Sequence, residues 1–195
     1  APSLPHEVPV LEFRPITHEQ LPDLVLFSEQ HGKFRYCSCM RWRMTSTNFR
    51  HSTKESRVAA LDDLVCRGTP VGVLAYSDDK PVGWCSVAPR ETYEALERYQ
   101  ALPRIDNLST WSVACFFVDR KFRRQGVTLG LLRTAVDYAR SQGADVVEGY
   151  PVEPGPRLYT YMGSPSIFRR AGFLDVTLPG CSRQIMRYVV SAVAP

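Results

Sequence analysis

Lysine is scarce in this chain: of 24 basic residues only 4 are lysine and 20 are arginine. Against 20 acidic residues the net charge is +4, with no dense basic stripe, so the electrostatic footprint of a nucleic-acid binder is missing. The arginine bias fits a GC-rich coding sequence. Where it bears on function, the arginine fork suits a modest anion such as a phosphorylated cofactor. No apolar run approaches the roughly 20 residues that a membrane helix needs. Residues 1–9 lack the basic and apolar regions of a signal peptide. A soluble, cytoplasmic protein with no membrane partner is therefore expected. Gly-Lys-Ser/Thr is absent, which excludes a Walker A loop, and so is Gly-x-Gly-x-x-Gly, which excludes the dinucleotide fingerprint. The six cysteines, at 37, 39, 66, 85, 115 and 181, form no regular framework, so reduced thiols are expected rather than disulfides. Cys37-Ser38-Cys39, even with His31 and His51, lacks the spacing of a zinc site, and no metal is expected.

What is present reads as one domain. A chain of 195 residues, 44% hydrophobic and 23% charged, is long enough for a single sizeable core. Residues 1–9 read as a loose arm and 10–192 as the domain, with 15 prolines pointing to several tight loops. Leu11–Arg14 alternates as a strand, and Thr17 is placed to cap a helix from about His18 to Gln30. Ser52 and Glu55 have capping-box spacing before a second helix that ends at Gly68. Residues 71–76 and 82–87 flank a polar turn and read as a hairpin. Trp111–Val118 is the clearest strand, followed by a helix from about Thr128 to Gln142 and a strand over Val146–Tyr150. A short helix (Ser166–Arg170) and strands near 173–178 and 183–190 complete the chain.

The chemistry concentrates where the Val118 strand turns into the next helix. Leu129, Leu132, Val136 and Ala139 recur at helical spacing and can pack on a sheet. The first N–H groups of such a helix have no intrahelical acceptor, and with the helix dipole they can hold phosphate. Gly126 leaves the backbone open to a ligand, while Arg123 and Arg124 add charge. An ordinary turn with solvated arginines is the competing reading.

Arg123-x-x-Gly126-x-Thr128 resembles the Arg/Gln-x-x-Gly-x-Gly/Ala hallmark of the GNAT superfamily of acetyl-CoA-dependent N-acetyltransferases. Thr128 departs from it at the last position. Phe168-Arg169-Arg170-Ala171-Gly172-Phe173 is similar to that family's Tyr-x-x-x-Gly-Phe, and Glu148–Val152 to a stretch of a bacterial subgroup. The resemblance spans about residues 71–189. It implies an α/β fold: a mixed, mostly antiparallel sheet of six to seven strands, helices on both faces, split at strands four and five. It also implies acetyl-CoA as co-substrate. Arg123, Arg124, Gln125, Gly126, Val127 and Thr128 would hold the pyrophosphate, and Phe116, Phe117 and Val118 would pair with pantetheine. The acetyl group would pass directly to a primary amine, with a small-molecule acceptor preferred. A protein N-terminus or lysine as acceptor, and a non-catalytic acyl-CoA-binding regulator, stay open, as does a homodimer.

The family's tyrosine acid falls on Phe168, which cannot donate a proton. Tyr161 is the candidate donor, with Tyr159 second, against plain aromatic packing. Glu148 interrupts an apolar strand and must face water, a partner or the active-site splay. It is the candidate base, against a salt bridge to an arginine. Glu153 and Asp119 are weaker alternatives. Trp42, flanked by Arg41 and Arg43, and Trp84 are the candidate acceptor contacts, against packing in the core.

Overall fold

The computed structural model describes residues 10–32, 39–155 and 159–190. The expected arm and Cys37 lie outside the described residues. Along the chain come β1 (Leu11–Pro15), α1 (Leu21–Gln30), α2 (Ser46–His51), α3 (Lys54–Cys66), β2 (Val73–Ser77) and β3 (Lys80–Pro89). They are succeeded by α4 (Glu94–Glu97), β4 (Thr110–Val118), α5 (Val127–Ser141), β5 (Val146–Gly149), α6 (Pro165–Arg170), β6 (Leu174–Asp175) and β7 (Met186–Val189). The strands form one sheet in the order β1-β2-β3-β4-β5-β7-β6. Only β4 and β5 run parallel; every other pair is antiparallel. This is the mixed, seven-stranded arrangement expected from the sequence. No helix among the described residues is long and apolar enough to cross a membrane.

The two faces of the sheet bury separate cores. Val127, Leu131, Leu132, Ala135 and Ala139 of α5 pack with Val113, Phe116 and Val118 of β4 on one face. Leu24 and Phe27 of α1 and Leu61 and Val65 of α3 pack with Leu74 and Trp84 on the other. Strand alternation alone would not put Val113 and Phe116 on the same face. A bulge does it: Ser86 lies opposite Cys115 while Val87 lies opposite Val113, leaving Ala114 as the extra residue. Such an insertion bends the strand and re-aims the residues beyond it.

The bulge falls where β4 and β5 part. Their pairing runs only from Thr110↔Val146 to Val113↔Gly149. Beyond Gly149 the chain is wedged aside by Phe168 of α6, whose ring occupies the place of a side chain at residue 149. A Cβ there would lie 1.9 Å from Phe168 Cε1. Ala114 to Val118 therefore have no neighbouring strand on the β5 side among the described residues.

Local details differ from the sequence reading. Thr17 donates to the Gln20 side chain and accepts from the Glu19 amide, so it closes a turn and α1 begins only at Leu21. The capping box before α3 is formed by Thr53 and Ser56, because Ser52 instead bonds Phe49 O and Arg57. Helix α2 is too short to show a period. The sixth strand shrinks to two residues. The described cysteines are all free thiols.

Gly149→Ala tests the wedge. Where room exists, such a change stabilises by about 0.4–1 kcal/mol. Here overpacking against Phe168 is expected to cost about 1–3 kcal/mol in urea denaturation; a variant as stable as the parent would show that the ring yields freely.

Candidate active site

The end of β4 and the start of α5 form a continuous binding edge. Asp119 N–H bonds to Val82 O on the β3 side. By alternation, the backbone groups of Phe116 and Val118 point the opposite way, into the gap left by β5. The Arg123 Nε–H reaches back to Val118 O at 3.2 Å, tying the turn to the strand. Arg124 and Gly126 both adopt left-handed conformations, φ 63° and 82°. That conformation is costly for an arginine and free for glycine, and such strain is characteristic of ligand-binding turns. Nothing lies within 4 Å of a Cβ built on Gly126, so the approach to the turn is open. Val127, Thr128 and Leu129 sit in the first turn of α5, where amides lack intrahelical acceptors. The edge and the turn together fit an extended, amide-bearing chain that ends in phosphates.

This edge forms one wall of a cleft of about 1060 Å³. Phe116, Phe117, Val118, Arg123 and Thr128 line it, with Gly163, Ser164 and Ile167 across the gap. Its other half is aromatic, with Trp42, Phe49, Tyr93, Tyr159 and Tyr161, joined by Arg41, Cys39, Ser86 and Cys115. The Trp42 ring lies 5.7 Å from Tyr159, and Tyr159 lies 6.1 Å from Tyr161. Burial pushes the Tyr161 hydroxyl well above the ordinary tyrosine range, and the Cys115 thiol acts the same way. Arg41 and the Trp42 indole N–H oppose this without cancelling it. Tyr161 thus stays protonated at neutral pH. Tyr93 Oη and Ser86 Oγ are 2.9 Å apart; burial pushes Tyr93 up to about 12, with Arg43 opposing.

The structure brings together Tyr161, Trp42 and the expected turn, but not Glu148 or Trp84. Glu148 is 1% exposed and is absent from the cleft lining. Its Oε2 accepts from Arg90 Nη1 at 3.1 Å and Tyr150 Oη at 2.9 Å, and its Oε1 from Arg187 Nη2 at 2.6 Å. Arg90 continues to Glu97, Arg187 to Asp106, and Tyr150 to Ser112. Both oxygens are held by cations, the arrangement of the salt-bridge alternative, and Glu148 lies away from the cleft lining. Trp84 is fully buried, packed against Gly72 and donating to Cys39 Sγ, so it supports the cleft wall from behind. Asp119 is tied up as well. The Lys121 amide, together with His31, holds its carboxyl below the usual range despite partial burial. Phe168 is a core residue with no exposure.

Sequence reasoning missed Ser86, Tyr93, Phe49, Cys115 and the Gly163–Ile167 wall. Ser86 carried a signal, since it interrupts the apolar run of β3 much as Glu148 interrupts β5. The wall had none at Gly163 and Ser164, which lie in the loop before α6, and Ile167 sits in the short helix the sequence expected.

A family model described as Acetyltransferase (GNAT) family matches residues 36–159. No curated protein matches the chain. Among solved structures, the fold is similar to the GNAT family N-acetyltransferase YhbS from Escherichia coli in complex with CoA. That match has 14% identity and a TM-score of 0.56, covering 97% of this chain and 86% of that one. It is also similar to yncA from Salmonella typhimurium, solved with acetyl-CoA, at 14% identity and TM-score 0.55, covering 95% and 96%. A GCN5-related N-acetyltransferase from Kribbella flavida is similar at 16% identity and TM-score 0.50; 86% of this chain spans only 33% of that one.

Glu148→Gln distinguishes a brace from a base. Breaking a buried ion network costs about 3–5 kcal/mol, so a large loss in denaturant stability is expected while the pH–rate profile of the folded variant keeps its rising limb. A flattened limb with unchanged stability would restore Glu148 as a base.

Proposed function

We propose acetyl transfer from acetyl-CoA to the primary amine of a small molecule for this chain, which belongs to the acetyltransferase (GNAT) family. The observation that carries the reading is the unpaired edge of β4 running into the open turn at Gly126. Phe116 and Val118 offer backbone groups to the pantetheine amides as a strand would. The amides from Gln125 to Leu129, with the α5 dipole and Arg123 and Arg124 beside them, suit the pyrophosphate. The thioester would then lie in the splay, where an N–H near Val118 polarises its carbonyl as oxyanion-hole donors do.

The acceptor enters from the aromatic half as a neutral amine and attacks the carbonyl carbon. A C–N bond forms as the C–S bond breaks, so one proton must leave the nitrogen and another must reach the thiolate. No carboxylate lines the described part of the cleft, so the amine proton passes to solvent. Tyr161, kept protonated by burial, supplies the thiolate in place of the tyrosine that Phe168 replaces. A cleft of this size, at the upper end of ligand pockets, suits a small acceptor.

Acetyl-CoA at millimolar concentration is expected to raise the melting temperature of the protein and of Tyr161→Phe equally, because it binds only the assembled cleft. Acid assistance is worth about 10²–10⁴-fold, so Tyr161→Phe should lose turnover of that order. No thermal shift in either protein would contradict acetyl-CoA binding, whereas a full shift with undiminished turnover would assign Tyr161 to packing.

A further inference from the structure

The charged side chains in the described lining of the cleft, Arg41 and Arg123, are both cations. Two buried arginines are partnered with carboxylates: Arg90 with Glu97 and Glu148, Arg187 with Glu148 and Asp106. Buried Arg43 and half-buried Arg41 and Arg183, beside the aromatic half, form no ion pair among the described residues. Each lies instead over a ring of the cleft. Arg41 is 5.7 Å from the Trp42 and Phe49 centroids, Arg43 is 4.3 Å from Tyr93, and Arg183 is 4.7 Å from Tyr159. Only Arg41 of the three reaches the lining itself.

A second observation points the same way. Two buried donors beside this half have no acceptor among the described residues: Nε of Arg43 and Nη1 of Arg183. Uncompensated guanidinium charge and orphaned N–H groups both lack the same thing, an oxygen with free lone pairs. A carboxylate supplies only acceptors, enough for several donors. An ammonium would bring more donors into a positive field. At Trp42, Phe49, Tyr93 and Tyr159 it would also share the ring with a guanidinium of the protein.

Resting on the acetyl-transfer reading, we infer that the acceptor is an amine carrying a carboxylate beside a flat apolar body, and that Arg41 selects it. The carboxylate meets the Arg41 fork, the apolar body lies among Trp42, Tyr159 and Phe49, and the amine is left toward Tyr161 and the thioester. One guanidinium in the aromatic half of the lining, with Arg123 at the turn, balances a monoanion, which favours carboxylate over phosphate. Polyamines and lysine side chains, whose remaining charge is positive, are disfavoured by the same field.

Binding to the CoA-saturated protein tests this without requiring turnover. The probes are 3-phenylpropionate, its neutral amide and 2-phenylethylamine, three ligands of nearly one shape and three charges, with 2-phenylethylphosphonate as a further arm. Isothermal titration is expected to show 3-phenylpropionate binding tightest. Arg41→Gln should weaken it about tenfold or more, as loss of a charge-assisted pair does, and leave CoA affinity unchanged. Arg41→Lys should restore part of the loss, since a point charge replaces the fork. Tighter binding of the amine or of the phosphonate, absence of binding by all four probes, or carboxylate binding indifferent to Arg41→Gln would each overturn the inference. Failure of CoA itself to bind would instead strike the acetyl-transfer reading on which it rests.

Discussion

The short parallel contact between β4 and β5 is the constraint on which the rest of the molecule depends. Four residue pairs hold the two strands together, and then the Ala114 bulge on one side and the Phe168 ring against Gly149 on the other force them apart. Unpaired backbone in the middle of a sheet is normally a liability, open to pairing with any strand that meets it. In the proposed reading it lies inside a cleft whose occupant is itself a chain of amides. On that reading fold and ligand recognition share one cause: the backbone groups that the sheet leaves unsatisfied are those proposed to meet pantetheine.

The same geometry divides the buried charges into two groups with different work. The Glu148 network, built from β5, β7 and the segment around Arg90, is internally satisfied and braces the closed end of the splay. Removing a member would cost stability because a partner charge would stay buried alone. The arginines around Trp42, Tyr93 and Tyr159 have no carboxylate partner among the described residues: Arg43 and Arg183 bond to uncharged groups of the fold, and Arg41 faces the cleft. A polar atom's role in this cleft depends on whether the fold has already used its hydrogen bonds.

How much of this was legible in the sequence depended on how local each cause was. The strand ending at Val118 and the turn at Gly126 carry period, glycine and charge within about fifteen contiguous residues, and they stand where the sequence placed them. Glu148 was rightly singled out as a carboxylate in an apolar strand, yet its partners Arg90 and Arg187 lie 58 and 39 residues away. Nothing local separates such a brace from a base. Trp84 beside Gly83 read equally well as pocket or core, and Gly72 and Cys39, both distant in sequence, decided for the core. Phe168 announced the missing tyrosine by its spacing, but its role as a wedge needed the position of Gly149.

Amide hydrogen exchange with and without acetyl-CoA tests the central claim most directly, because it reads the unpaired backbone itself. If acetyl-CoA occupies the splay as a surrogate strand, protection should rise at Phe116 and Val118 and at the amides from Gln125 to Leu129. The amides of β1 and β2, already paired in the sheet, should change little. Protection that rises elsewhere while Phe116, Val118 and the Gly126 turn exchange as freely as before would contradict the account.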